Sequence, residues 1–377
     1  MATVRLLVLV LGLLGPHWPN KVSASWMYLG ISGASISPSL LPQNNPTMGP
    51  RGPEPEDLTG PTVEVRALCS SLPGVTQQQI EICLQHPNLM PVVAAGAAKS
   101  IAECKHQFKH ERWNCSTQDD QNNLFGTTLE RGSKETAFIY AISSAGVVHS
   151  VTQACSSGNL TDCNCDTTNQ GQSTKEGWKW GGCSDNLKYG MTFARNFVDV
   201  VEKRKKHGIR TKMNLHNNAA GRKVLSTLMG TKCRCHGVSG SCEVKTCWNH
   251  MPSFTEVGDA LKKKYGMAVQ ISSKNRLRRK IKANKRRDDN VKKGDLIHIH
   301  KSPNYCVEDV DKGIPGTAGR VCNKTSTGPD SCGLLCCGRG YNTQVLTHIE
   351  RCHCKFVWCC YVKCKTCETK VDLHTCK

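Results

Sequence analysis

Nowhere does this chain run about 18 apolar residues together, the length a helix needs to cross a bilayer. No helical membrane anchor is therefore expected. Acidic residues are scarce too: 30 Asp and Glu face 50 Lys and Arg, a formal charge of +20, which predicts attraction to polyanions. Cysteine is missing before Cys69, yet all 24 cysteines then fall between there and Cys376. So many thiols, in even number, suit an oxidising secretory route and not a reducing cytosol.

What the first residues do contain agrees with that route. Arg5 precedes the apolar run Leu6 to Leu14, and a small-residue site follows near Ser23-Ala24-Ser25, so residues 1–24 read as a cleavable signal peptide. Three glycosylation sequons begin at Asn114, Asn159 and Asn323. Asn114 is the least suited, because bridge formation by Cys115 competes with glycan transfer. The expected location is secreted, in the extracellular space and matrix. There the available polyanion is heparan sulfate, and no nucleic-acid partner is expected.

Composition divides the chain further. Residues 25–68 form an N-terminal segment whose insert carries prolines 38, 42, 46, 50, 53, 55 and 61 and reads as a poorly ordered tether. From Thr76 to about Tyr265 the pattern is helical. Pro91 suits a first turn, and Val93, Ala97, Ile101, Cys104 and Phe108 follow at steps of three and four. Ser133 and Ser184 are candidate caps, Ser253 with Glu256 forms a capping-box signature, and His216 with Asn217 and Asn218 reads as a helix start. Several amphipathic helices imply a bundle over 69–270. Lys274 to Lys293 holds eleven Lys or Arg against Asp288 and Asp289, which marks a solvated basic linker over 271–300. The last part, 301–377, has twelve cysteines between Cys306 and Cys376 and must be held by bridges more than by apolar burial. The fold class expected is α+β: a helical N-terminal domain with stapled hairpins, and a small cysteine-rich β C-terminal domain.

Two segments carry a spacing argument. Cys233 with Cys247, and Cys235 with Cys242, have position sums of 480 and 477, as a hairpin folded about Ser239 requires. Its tip, Gly237-Val238-Ser239-Gly240-Ser241, is small, and its glycines permit positive φ. The pairs 352/367, 354/364 and 359/360 have sums of 719, 718 and 719, a second stapled hairpin with one residue of slack for a bulge. Its tip, Phe356-Val357-Trp358-Cys359-Cys360-Tyr361-Val362, is an apolar patch suited to a partner or to a local hairpin core. By spacing alone Ser239 is either a plain turn serine or a site of attachment.

Two other chemistries compete. Gly237-Val238-Ser239-Gly240 approximates a nucleophile elbow with His236 nearby, the mark of a serine esterase, but both flanks are polar and cysteine-stapled where an elbow needs a buried strand and a helix. No catalytic residue is assigned. Zinc could use Cys233, Cys235 and His236, or Cys364 and Cys367; the even cysteine count and the pair sums favour bridges, so no metal is assigned.

The combination Glu111-Arg112-Trp113-Asn114-Cys115-Ser116, Gly181-Gly182-Cys183-Ser184-Asp185-Asn186, Met213-Asn214-Leu215-His216-Asn217-Asn218, Cys235 to Cys242, Cys336-Cys337-Gly338-Arg339-Gly340 and Trp358-Cys359-Cys360 resembles the Wnt family of secreted lipid-modified signalling glycoproteins. The start Trp26-Met27-Tyr28-Leu29-Gly30 is similar to the sixteenth vertebrate subgroup. The resemblance implies a ligand without enzyme activity. It implies a palmitoleoyl ester on Ser239, added by Porcupine, as the only prosthetic group, with no cofactor. It implies Wntless as carrier, and a Frizzled cysteine-rich domain gripped by His236, Gly237, Val238, Ser239 and Gly240 on one side and by residues 356–362 on the other. An LRP-type co-receptor would bind elsewhere. A bridge map also follows: 69–83, 104–115, 155–163, 165–183, 233–247 and 235–242, then 306–337, 322–332, 336–376, 352–367, 354–364 and 359–360.

Overall fold

The computed structural model describes residues 26–32, 62–117, 124–203, 208–271, 291–359 and 361–377. The signal peptide, the proline-rich insert, most of the basic run and Cys360 lie outside these residues. In chain order the elements are α1 (Leu29–Ser32), α2 (Val63–Ser71), α3 (Gln77–Gln85), α4 (Met90–Phe108), α5 (Thr128–Arg131), α6 (Lys134–Ser156), β1 (Lys179–Trp180), α7 (Leu187–Lys203), α8 (Ile209–Leu228), β2 (Gly230–Cys235), β3 (Lys245–His250) and α9 (Phe254–Gly266). There follow β4 (Val269–Gln270), β5 (Ile297–His298), β6 (Val321–Cys322), α10 (Cys332–Leu335), β7 (Tyr341–Val357) and β8 (Tyr361–Cys376). Helices and strands are segregated, so the class is α+β.

Helix α6 runs through the middle of the bundle and is buried on every side, which its small residues allow. A Cβ on Gly146 would lie 2.5 Å from the carbonyl oxygen of Gly96, so α4 and α6 approach backbone to backbone. Gly221 of α8 meets the Ala141 backbone in the same way. The Val93 to Phe108 stripe of α4 is buried, and Phe108 packs edge-on against Phe138, Trp113 and Tyr265 at 4.7–4.9 Å. Trp26 and Leu29 also enter this core: Trp26 meets Phe197 at 5.9 Å, and α1 lies on α4 where Gly30 touches the backbone of Ala97 and Ala98.

Three local expectations change. Helix α7 is capped by Asn186, whose Oδ1 accepts the Tyr189 N–H at 3.1 Å; the Ser184 hydroxyl instead accepts the Asn249 N–H, because a parallel chain segment passes there. His216, Asn217 and Asn218 do not start a helix but sit in the middle of α8. Asn217 imitates a strand neighbour, donating to Ile297 O and accepting from Ile297 N, both at 2.9 Å. His216 reaches Asp295 O at 2.9 Å. Consequently Leu296, Ile297 and Ile299, inside the segment read as linker, are buried, and β5 pairs in parallel with β4. Leu296-Ile297 followed by Ile299 was a short apolar signal that the neighbouring charge run obscured.

The C-terminal part has only a small core, of Cys322, Cys332, Leu335, Cys336 and Cys376 with Tyr341 against it. Bridges Cys306–Cys337, Cys322–Cys332 and Cys336–Cys376 brace it. It is tied to the bundle by arginines satisfying loop carbonyls: Arg320 donates to Arg112 O and Lys109 O at 3.0 and 3.1 Å, and Arg112 donates to Leu334 O at 3.0 Å.

Candidate functional site: two stapled hairpin tips

The first tip grows from a three-stranded sheet in the order β1-β3-β2. Strands β2 and β3 pair antiparallel with Cys233 directly opposite Cys247, and their bridge spans a Cα separation of 4.0 Å. Beyond it Cys235 bridges to Cys242. Inside this ring the backbone closes on itself: Gly237 N–H donates to Ser241 O at 2.8 Å and Gly240 N–H to Gly237 O at 3.0 Å. Ser239 is exposed and left-handed, with φ 56° and ψ 26°. A non-glycine residue there carries backbone strain on the order of 1 kcal/mol, held by the two bridges. Gly240 does take positive φ, at 80°, but Gly237 does not; glycine is needed at 237 because a Cβ would strike Ser241. Val238, at 86 % exposure, flanks the serine and shields nothing.

This geometry offers a nucleophile no help. His236 Nε2 is 2.6 Å from Thr246 Oγ1, committed to the stalk, and strands flank the serine on both sides, so an elbow is absent from this loop. All four thiols at the stalk are consumed in bridges, as are those of Cys364 and Cys367.

The second tip ends the long ribbon of β7 and β8. Cys352 bridges to Cys367 and Cys354 to Cys364, and the register shifts between Cys352 and Lys355, where His353 takes φ 47°. Phe356 stands opposite Val362 and Val357 opposite Tyr361. Phe356 is 70 % exposed and Trp358 90 %, so these side chains pack into no local core. Cys359 turns the chain at φ 81°; its expected bridge to Cys360 lies outside the described residues.

Of the remaining bridges, Cys69–Cys83, Cys104–Cys115 and Cys155–Cys163 hold the C-terminal parts of helices in the bundle, and Cys165–Cys183 joins two loop segments between α6 and α7. Of the sequon asparagines, Asn159 and Asn323 are exposed, and Thr325 donates to Asn323 Oδ1 through both its N–H and its hydroxyl. Asn114 is half-buried, its Oδ1 enclosed against the protein.

Several residues that support the first hairpin were not singled out from sequence. Strand β1 is one, adding Lys179 and Trp180 beside Thr246 and Cys247. At the hairpin root Asp185 accepts the Met251 N–H at 2.7 Å and lies 3.2 Å from His250. Behind them His149 Nε2 donates to Pro252 O at 3.2 Å while its Nδ1 faces Lys99 Nζ at 3.4 Å, an arrangement only the neutral ring satisfies. Burial first, then the Lys99 charge, pushes His149 down to about 4. The unfolded chain therefore takes up this proton near pH 6.5 and the folded one does not, so stability falls as pH drops from about 6.5 towards 4. Denaturation midpoints across that range should lose on the order of 3 kcal/mol from this group, a slope that His149→Gln removes.

Deeper still, Asp199 and Arg222 form a buried pair at 2.7 and 2.9 Å, with Ser144 accepting from Arg222 at 2.9 Å and Asn218 donating to Asp199 at 3.0 Å.

Comparison with known proteins places this architecture. A model of the family described as "wnt family" matches residues 71–377. Protein Wnt-16 of Mus musculus is 49 % identical over 369 residues, covering 95 % of this chain and 94 % of the relative. Protein Wnt-2b-A of Xenopus laevis is 44 % identical over 372 residues, covering 98 % and 95 %. Among solved structures, that described as human WLS in complex with WNT8A matches with a TM-score of 0.55 at 38 % identity, covering 78 % of this chain and 95 % of that one. Among the described residues no helix is long and apolar enough to cross a membrane. Wnt proteins are secreted glycolipoprotein ligands and not enzymes, and with bundle, stapled hairpins and family match in agreement, this chain belongs to the Wnt family.

Proposed function

We propose that the chain is a secreted ligand that receives a palmitoleoyl ester on Ser239 from Porcupine, leaves the cell on the carrier Wntless, and grips the cysteine-rich domain of a Frizzled receptor between its two hairpin tips. The observation that carries this reading is Ser239 itself: exposed, left-handed, and held at the end of a loop closed by two bridges. An acyltransferase needs a protruding hydroxyl, and a receptor groove needs an acyl chain on a stalk that does not fold back. Each buried CH₂ contributes roughly 0.8 kcal/mol, so one chain supplies much of a receptor's affinity. Support for the carrier comes from the structural relative described in complex with WLS.

In this reading Phe356, Val357, Trp358, Cys359, Cys360, Tyr361 and Val362 form the opposite jaw. Trp358→Ala should reduce affinity for an isolated Frizzled domain by about 2 kcal/mol or more, as for a buried aromatic anchor, with secretion nearly unchanged. Binding measured by interferometry checks this; equal affinity for the variant removes the jaw. Asn159 and Asn323 are the proposed glycan sites, with Asn114 disfavoured by its enclosed Oδ1. An LRP-type co-receptor binds away from both tips, and the basic run at 274–293 holds the ligand on heparan sulfate in the matrix. Neutralising the run should lower the salt needed to elute the protein from immobilised heparin, and unchanged elution takes that role away.

A further inference from the structure

The stalk of the first hairpin has two unlike faces, and neither is used in the grip just described. Side chains alternate across a strand, and the register puts Lys179, Thr246 and Arg234 in one row, with Lys232 beside Trp248 in the next. The contact of His236 with Thr246 confirms the shared face. Lys179, Lys232 and Arg234 are exposed, and among the described residues the ion pairs lie elsewhere. Lys179 and Arg234 flank Thr246 across two strand spacings, about 10 Å, so they repel with no carboxylate between them. Glu243 and Glu176 are the nearby acids in sequence, both in turns outside these rows, while Asp185, Glu256 and Asp259 line, with Lys232, the clefts at the hairpin root. On the opposite face Trp178 and Trp180 pack edge to face at 4.8 Å and remain part-exposed. At the tip Val238 and Val244 are 86 % and 57 % exposed.

From apex to root the order is therefore apolar, then cations on one face with Trp248 among them, and the Trp178–Trp180 pair on the other. Tryptophan and basic side chains are the residues that settle at headgroup level, while an apolar end enters the acyl boundary. Five residues separate Ser239 from Arg234, at most about 17 Å, so a tip at the acyl boundary leaves the row near the outer headgroups. One acyl chain alone gives only marginal, reversible attachment, and a basic patch is the usual second signal. A sulfated polysaccharide would match the cations but leaves the exposed valines and tryptophans without a role.

We propose that the stalk of the first hairpin is a membrane-docking collar, in which Lys179, Lys232 and Arg234 bind anionic phospholipid headgroups while the Ser239 tip enters the bilayer. The collar rests on acylation of Ser239 as its first signal and adds the second. It lets an anionic surface hold the ligand without burying the rest of the molecule.

The test is flotation of the full chain, purified from lysates of the producing cells so that the unsecreted Ser239→Ala variant is included, with vesicles of phosphatidylcholine alone or mixed with phosphatidylserine. Phosphatidylserine should raise partitioning, and Lys179→Gln/Lys232→Gln/Arg234→Gln should remove the gain by about five-fold per residue, on the order of 100-fold in all. An equal neutralisation at Lys365, Lys370 and Lys377 should change it only a few-fold. Ser239→Ala should weaken attachment to both vesicle types while keeping their ratio. If Ser239→Ala matches the parent on phosphatidylcholine but the triple variant still loses the gain, acylation fails and the collar stands. If both triple variants lose equally, or the stalk variant loses heparin retention with its phosphatidylserine gain intact, the collar is overturned.

Discussion

Ser239→Ala is expected to fold, to lack the acyl ester, and to be absent from the culture medium and inactive on responding cells. The fold survives because residue 239 touches nothing in the core, and the ring closed by Cys235 and Cys242 is set by backbone hydrogen bonds. The penalty for an alanine at φ 56° is on the order of 1 kcal/mol and local to the tip. Ser239→Gly separates backbone from hydroxyl, since glycine takes that φ freely. Both variants should fail alike, measured as intracellular retention with normal thermal stability. A Gly variant that is secreted and active would mean that the loop conformation, not the hydroxyl, is what the carrier recognises.

Arg222→Ala should have the largest effect on stability of any polar substitution in the bundle. It strands Asp199 at 5 % exposure among α6, α7 and α8, with Asn218 alone left to satisfy it among the described residues. Removing one partner of a buried pair costs about 3–5 kcal/mol, a large share of what a domain possesses. The expected outcome is a lower unfolding midpoint and poor secretion of a protein that retains its acylation site. Arg222→Met combined with Asp199→Leu removes both charges and should recover more than half of the loss, because an apolar pair of similar volume needs no compensation. Equal instability of single and double variants would show that helix packing, not the uncompensated charge, sets the cost.

Legibility of the molecule from its residues followed the kind of constraint involved. The stripe on α4 and the caps at Ser133 and Ser253 were readable because they are local: a 3.6-residue period or a three-residue spacing states them outright. Both hairpins were readable because cysteine positions encode register, down to the bulge between Cys352 and Lys355. Less was legible wherever a residue's partner is remote. Asn217 serves Ile297 across 80 positions, and Ser184 serves Asn249 across 65. Read locally, both are good helix starters, which is how they mislead. The third strand beside the first hairpin is two residues long and has no periodicity to detect, yet it brings Lys179 and Trp180 to the stalk. Of the site, the tips were plain from the chain; the shoring behind them, Asp185, His149 and Asp199 with Arg222, emerged only with the fold.

Peptide mapping of active, secreted protein by mass spectrometry, with bridges intact, tests the central claim most directly. The fragment spanning Cys233 to Cys247 should carry a palmitoleoyl mass on Ser239 and none on Ser241, with both bridges present. Active material in which that fragment carries its bridges and an unmodified Ser239 would contradict the account.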